Sequence, residues 1–256
     1  MTSSSRLPTR RALLGLPFVA GGLAACTAHT PKLTPTTMTA NAPLAAQADL
    51  QLHLKATLRH WVDLPAGYAE APDRRWPLIV FLHGSGERGH DLAAVRIHGL
   101  PKHLDAGERA PAIVVSPQCE PDFDWDPHLL HALLIDLKAR WRIDERRVTA
   151  TGLSMGGAGC WDWAMQYPDD LAGIAPVCGF GRWLRIKRMR AVPVRAYHGL
   201  DDTVVPPQAS RDLVDALRAA GGQAELTLYP GVGHDAWNPA YADPALLPWL
   251  LARQRA

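Results

Sequence analysis

Val148-Thr149-Ala150-Thr151-Gly152-Leu153-Ser154-Met155-Gly156-Gly157 joins a run of strand-forming residues to a helix-forming stretch through a serine held between glycines. Val148–Thr151 has the make-up of a strand buried on both faces. Gly157–Tyr167 follows and is expected to be a helix. The segment between them spells G-x-S-x-G, a strand–turn–helix pattern with a physical requirement behind it. The turn is so tight that side chains flanking the serine would collide, so glycine must stand there. The strained turn lifts the hydroxyl above the strand end, and the helix behind it turns its positive N-terminus toward the same place. Ser154 is therefore a candidate nucleophile, provided that a base stands near it, because a neutral hydroxyl is otherwise a poor one.

Working outward, the same kind of short apolar run recurs at Leu78–Leu82, Ala112–Val115, Leu171–Val177, Val194–Tyr197 and Leu226–Tyr229. Helical stretches are expected at Pro127–Trp141, Pro207–Ala220 and Ala245–Arg253. In the first of these, Leu129, Leu130, Leu133, Leu134 and Leu137 share one helix face. A further strand is expected within Leu50–Leu64, where Thr57, Trp61 and Val62 favour it. Strands alternating with helices imply an α/β fold with a mostly parallel central sheet and helices on both faces. At 256 residues the chain has room for one such domain, expected over residues 49–256. In sheets of this kind ligands bind at the carboxyl ends of the strands, so the residues just after each strand matter most.

Three of those strand ends carry chemistry. His83-Gly84-Ser85-Gly86-Glu87-Arg88-Gly89 follows Leu78–Leu82. His198-Gly199-Leu200-Asp201-Asp202-Thr203-Val204-Val205-Pro206 follows Val194–Tyr197, and Pro230-Gly231-Val232-Gly233-His234-Asp235-Ala236-Trp237 follows Leu226–Tyr229. An imidazole can take the serine proton, and an acid can fix the tautomer of that imidazole. The first segment also fits G-x-G-x-x-G, a dinucleotide fingerprint. That reading needs an acid ending a second strand about 20 residues later. Asp105 is at the right distance, but no strand-like run precedes it.

The chain resembles the α/β-hydrolase superfamily, and more closely a group of compact bacterial esterases and predicted peptidases related to the dienelactone-hydrolase and prolyl-oligopeptidase catalytic domains. The resemblance is carried by His83–Gly89, Pro117-Gln118-Cys119 with Trp125, Asp144–Gly157, His198–Pro206 and His234–Trp237. It implies a triad of Ser154, Asp202 and His234, with Asp202 preferred over Asp201 because it holds the fifth place of H-G-x-x-D-x-x-V-P. It implies an oxyanion hole from the backbone N–H groups of Ser85 and Met155. Ester hydrolysis through an acyl-enzyme is the expected activity, without metal or organic cofactor. A serine peptidase acting on short peptides, or a feruloyl or acetyl esterase, would use the same residues. No cap domain is expected, because residues 178–193 are too few to hold one. Trp125, Trp237 and Glu87 are the candidate substrate-binding residues.

The N-terminus is expected to lie outside the fold. Arg10-Arg11 precede an apolar run from Ala12 to Ala25 that is too short for a permanent membrane span, which is the pattern of an export signal. Leu23-Ala24-Ala25-Cys26 resembles a lipoprotein cleavage site. Residues 1–25 are then a signal, Cys26 the lipid attachment point and residues 26–48 a Thr-, Ala- and Pro-rich tether. The expected location is the periplasm or the outer membrane of a bacterium, which fractionation of the native protein with membranes would test. Loss of Arg6, Arg10 and Arg11 would leave 24 basic against 25 acidic residues, so the formal charge of +2 is no argument for a nucleic-acid partner. Cys119, Cys160 and Cys178 remain, with any pairing left open. His128 and His131 share a helix face without a third metal ligand in view. Arg182, Arg185, Lys187, Arg188 and Arg190 read as a solvated helix face that could touch acidic phospholipid heads.

Overall fold

The computed structural model describes residues 56–256, so the expected signal, Cys26 and the tether lie outside the described residues. Among the described residues seven strands form one sheet: β1 (His60–Asp63), β2 (Trp76–Leu82), β3 (Ile113–Pro117), β4 (Ile143–Leu153), β5 (Gly173–Val177), β6 (Val194–Gly199) and β7 (Ala224–Tyr229). Their order across the sheet is β1-β3-β2-β4-β5-β6-β7. Every neighbouring pair is parallel except β1 with β3, which is antiparallel. The described residues also form α1 (Gly99–Asp105), α2 (Pro127–Arg140), α3 (Met155–Gln166), α4 (Gln208–Ala219), α5 (Trp237–Ala242) and α6 (Leu246–Leu251).

The period of two in β2 divides the core. Leu78, Val80 and Leu82 pack into a cluster with residues of α2, α3 and α4. Ile79 and Phe81 point the other way, into a second cluster with residues of α1, α5 and α6. Both faces of the sheet are therefore covered, which is why every residue of β2, β3 and β5 is buried and why those strands read as unbroken apolar runs. On α2 the buried residues are Leu130, Leu133, Leu134 and Leu137, four of the five leucines anticipated above, whereas Leu129 is only half-buried; Asp126 caps the helix by accepting from the amide of His128.

The site is set by the order of the strands. From β2 the chain passes to β3 on one side, then returns so that β4 lies on the other side of β2. The crevice at the carboxyl ends of β2 and β4 is thus a topological switch point, the place where open α/β sheets bind ligands. Residues 178–193, between β5 and β6, contain a 3-10 helix at Trp183–Met189 and no inserted domain. The strand expected within Leu50–Leu64 is confined to His60–Asp63 among the described residues.

Candidate active site

The turn after β4 has the strain that its sequence demands. Ser154 sits at φ 52°, ψ −115°, a conformation costly for a residue with a side chain. Its amide donates to the carbonyl of Val177 at 2.9 Å, which fastens the turn to β5. The glycines around it are required by backbone contacts. A Cβ on Gly156 would lie 1.9 Å from the carbonyl oxygen of Leu82, and one on Gly152 would lie 2.6 Å from that same oxygen. The first turn of α3 is thereby pressed against the end of β2. Met155 opens α3, so its N–H has no acceptor inside the helix and is free to face a ligand.

His234, on the loop after β7, stands between the other two residues. Its Nε2 is 2.9 Å from Ser154 Oγ and its Nδ1 is 2.7 Å from Asp202 Oδ2. Asp202 is buried, whereas Asp201 faces solvent. The second oxygen of Asp202 accepts from the amides of Val204 and Val205, each at 2.9 Å. Burial by itself would raise the Asp202 pKa, but the hydrogen bonds from His234, Val205 and Val204 outweigh it and hold the carboxyl below its ordinary range. The acid turn and the histidine loop touch through backbone, since a Cβ on Gly199 would lie 2.0 Å from the carbonyl oxygen of Gly233. The structure therefore brings Ser154, Asp202 and His234 into one hydrogen-bonded chain. Cys178 also reaches this place and donates its thiol to the carbonyl of His234 at 3.2 Å. Cys178, Asp202 and His234 offer three possible metal-ligand atoms, but the carboxylate and imidazole already bind each other and burial pushes the thiol pKa up to about 12. Cys119, Cys160 and Cys178 are all buried and free of disulfides.

The loop after β2 is a short 3-10 helix, Ser85–Glu87, with no strand-borne acid following it; Asp105 ends α1. The dinucleotide pattern is thus a coincidence of glycines. Ser85 is exposed at the start of this turn, on the strand end that Gly156 abuts. Two of the expected substrate contacts are corrected by the structure. Trp125 lines a hollow with Leu58, Cys119, Phe123, Asp126 and Leu130, none of them a triad residue. It is 6% exposed, its Nε1 donates to the carbonyl of His83 at 3.0 Å, and its ring packs edge-on against the His83 imidazole. Glu87 is 5% exposed, with Oε1 3.8 Å from His98 Nε2 and Oε2 3.8 Å from His83 Nδ1. Burial raises its pKa. Trp237 stays at the site, with its ring edge-on to His234 at a centroid distance of 5.3 Å.

Two histidines that the sequence reading left without a role of their own brace the loops. His83 Nε2 accepts from the amide of Cys119 at 3.0 Å, so Nδ1 carries the proton and donates to the carbonyl of Gly84. Burial lowers its pKa to about 4, which keeps the ring neutral. Gln118 completes this tie by donating to the carbonyls of Glu87 and Asp91. His198 pairs with Ser210 Oγ at 2.7 Å and with the carbonyl of Val205 at 2.9 Å, which holds the acid turn. The sequence signal for them was the position of each at the end of a strand, next to glycine.

This fold and site define a class, and comparison with known proteins agrees with it. Residues 126–243 match the Dienelactone hydrolase family. A Salmonella typhimurium protein named "Putative carboxymethylenebutenolidase" is 27% identical over 209 residues, covering 70% of this chain and 75% of the relative. A probable carboxylesterase of Oryza sativa subsp. japonica is 28% identical over 204 residues, covering 67% of this chain and 76% of the relative. The crystal structure of a thermostable esterase superposes with a TM-score of 0.68 at 32% identity; the match covers 77% of this chain and 59% of that one. The chain has the α/β-hydrolase fold.

Proposed function

We propose that this protein is a serine hydrolase of carboxylic esters, with Ser154 as nucleophile, His234 as general base and acid, and Asp202 as the acid that orients it. The observation that carries the reading is His234 bridging Asp202 and Ser154 at 2.7 and 2.9 Å. With Nδ1–H directed at Asp202, the Nε2 lone pair faces the serine hydroxyl and can take its proton as Oγ attacks the ester carbonyl. Charge then develops on the carbonyl oxygen, where the N–H groups of Met155 and Ser85 would receive it. His234 returns the proton to the departing alcohol, leaving an acyl-serine. Water, deprotonated by the same imidazole, cleaves that acyl bond and restores the hydroxyl. The names of the relatives support an ester as substrate. A panel of p-nitrophenyl esters of graded acyl length, run beside aminoacyl anilides, tests this. Turnover of short esters with none of the anilides is expected, whereas anilide turnover alone would make the protein a peptidase.

A further inference from the structure

The chain from Phe180 to Arg190 presents a surface that ester hydrolysis does not explain. Ile186 and Met189 anchor the 3-10 helix Trp183–Met189 in the core, at 5% and 0% exposure. Everything else on the helix faces out. Trp183 is 57% exposed and Leu184 is 75% exposed, with Phe180 beside them at 42%. Arg182, Arg185, Lys187, Arg188 and Arg190 are exposed around these apolar side chains. No Asp or Glu occurs between residues 171 and 200, and among the described residues none of these five cations forms an ion pair. Arg185 and Arg188 hydrogen-bond only to Gln166. Asp162 is the acid lining the hollow under Arg182, Leu184 and Arg185, and burial raises its pKa. A solvated helix face would account for the cations but not for an exposed Trp-Leu pair among them.

We propose that this segment docks on an anionic lipid surface. Trp and Leu suit the boundary between headgroup and acyl chain, while a surrounding ring of Lys and Arg suits phosphate-bearing headgroups. A second copy of the chain is a poor occupant, because a two-fold interface here would set five cations against five.

The test uses the full chain with Cys26→Ser, so that no lipid anchor contributes, and with Leu184→Cys carrying an NBD fluorophore. The native Cys119, Cys160 and Cys178 are buried and should not take the label. A twin labelled at exposed Asp215→Cys is the control. Mixed phosphatidylglycerol–phosphatidylcholine vesicles should shift the emission at position 184 to the blue and leave position 215 unchanged. Salt near 1 M, where screening acts within about 3 Å, should reverse the shift. Arg182→Gln, Lys187→Gln and Arg190→Gln together should weaken it about a hundredfold, at roughly fivefold per cation, with hydrolysis of a soluble ester unchanged. Emission at 184 that stays that of water while the protein sediments with vesicles would overturn the proposal. So would an equal shift on phosphatidylcholine alone, an equal shift at position 215, or a shift that grows with protein concentration without lipid.

Discussion

Asp201 and Asp202 are adjacent in the chain and have opposite fates. Asp202 is buried, accepts two backbone amides and holds His234 at 2.7 Å, while Asp201 is exposed. Asp202→Asn would keep the shape but lose the charge that fixes the imidazole tautomer, and in a serine protease the analogous change costs about 10⁴ in kcat. We expect a comparable loss here, and near-normal kcat for Asp201→Asn, whose stability should change by less than about 0.5 kcal/mol. Steady-state kinetics of the two variants on one ester checks this; equal losses would remove the distinction. The contrast could be read in sequence because the spacing from His198 is local. The inward turn of Trp125 and Glu87 could not. Trp125 turns in toward His83, on a distant loop, and Glu87 toward His98, beyond its own turn. Loop tryptophans and acids carry no local sign of which way they face.

At the scale of elements, the β4–α3 turn joins local strain to long-range packing. Gly156 lies in the first turn of α3, where alanine is ordinarily preferred to glycine. Here a Cβ would strike the carbonyl of Leu82 at 1.9 Å, and backbone cannot move aside as a flexible side chain would. Gly156→Ala is therefore expected to destabilise by about 1–3 kcal/mol, as overpacking does, and to lower kcat by displacing Met155 and Ser154. Urea unfolding with kinetics on the same sample measures both, and a neutral result would mean that α3 is less tightly seated than its contacts indicate. The inner strands β2, β3 and β5 were visible in sequence because burial on both faces makes them largely apolar. β4 was not wholly visible: it begins at Ile143, and Asp144–Arg147 disguise its first half because that half is partly exposed. α1 and α5 are also short, at seven and six residues, and too brief to show a helical period.

For the whole molecule, the buried titratable groups tie stability to pH. His83 has a pKa lowered from 6.5 to about 4, so the unfolded chain takes up this proton first. Its contribution is complete above about 6.5 and is lost as pH falls toward 4, a difference on the order of 3 kcal/mol. Asp202, with its pKa lowered, acts in the same direction at still lower pH. Glu87 and Asp162, with raised values, are protonated first in the folded state and offset part of the loss. A lower urea midpoint at about pH 4.5 than at pH 7 is expected, and an unchanged midpoint would contradict this balance. The proposed chemistry turns on one hydroxyl in 256 residues. A fluorophosphonate reacts covalently only with a serine activated as described, so the most direct measurement is to treat the protein with one and map the adduct by peptide mass spectrometry. We expect a single adduct on Ser154 that is absent from Ser154→Ala and accompanied by complete loss of esterase activity. An adduct on another residue, or undiminished ester turnover by Ser154→Ala, would contradict it.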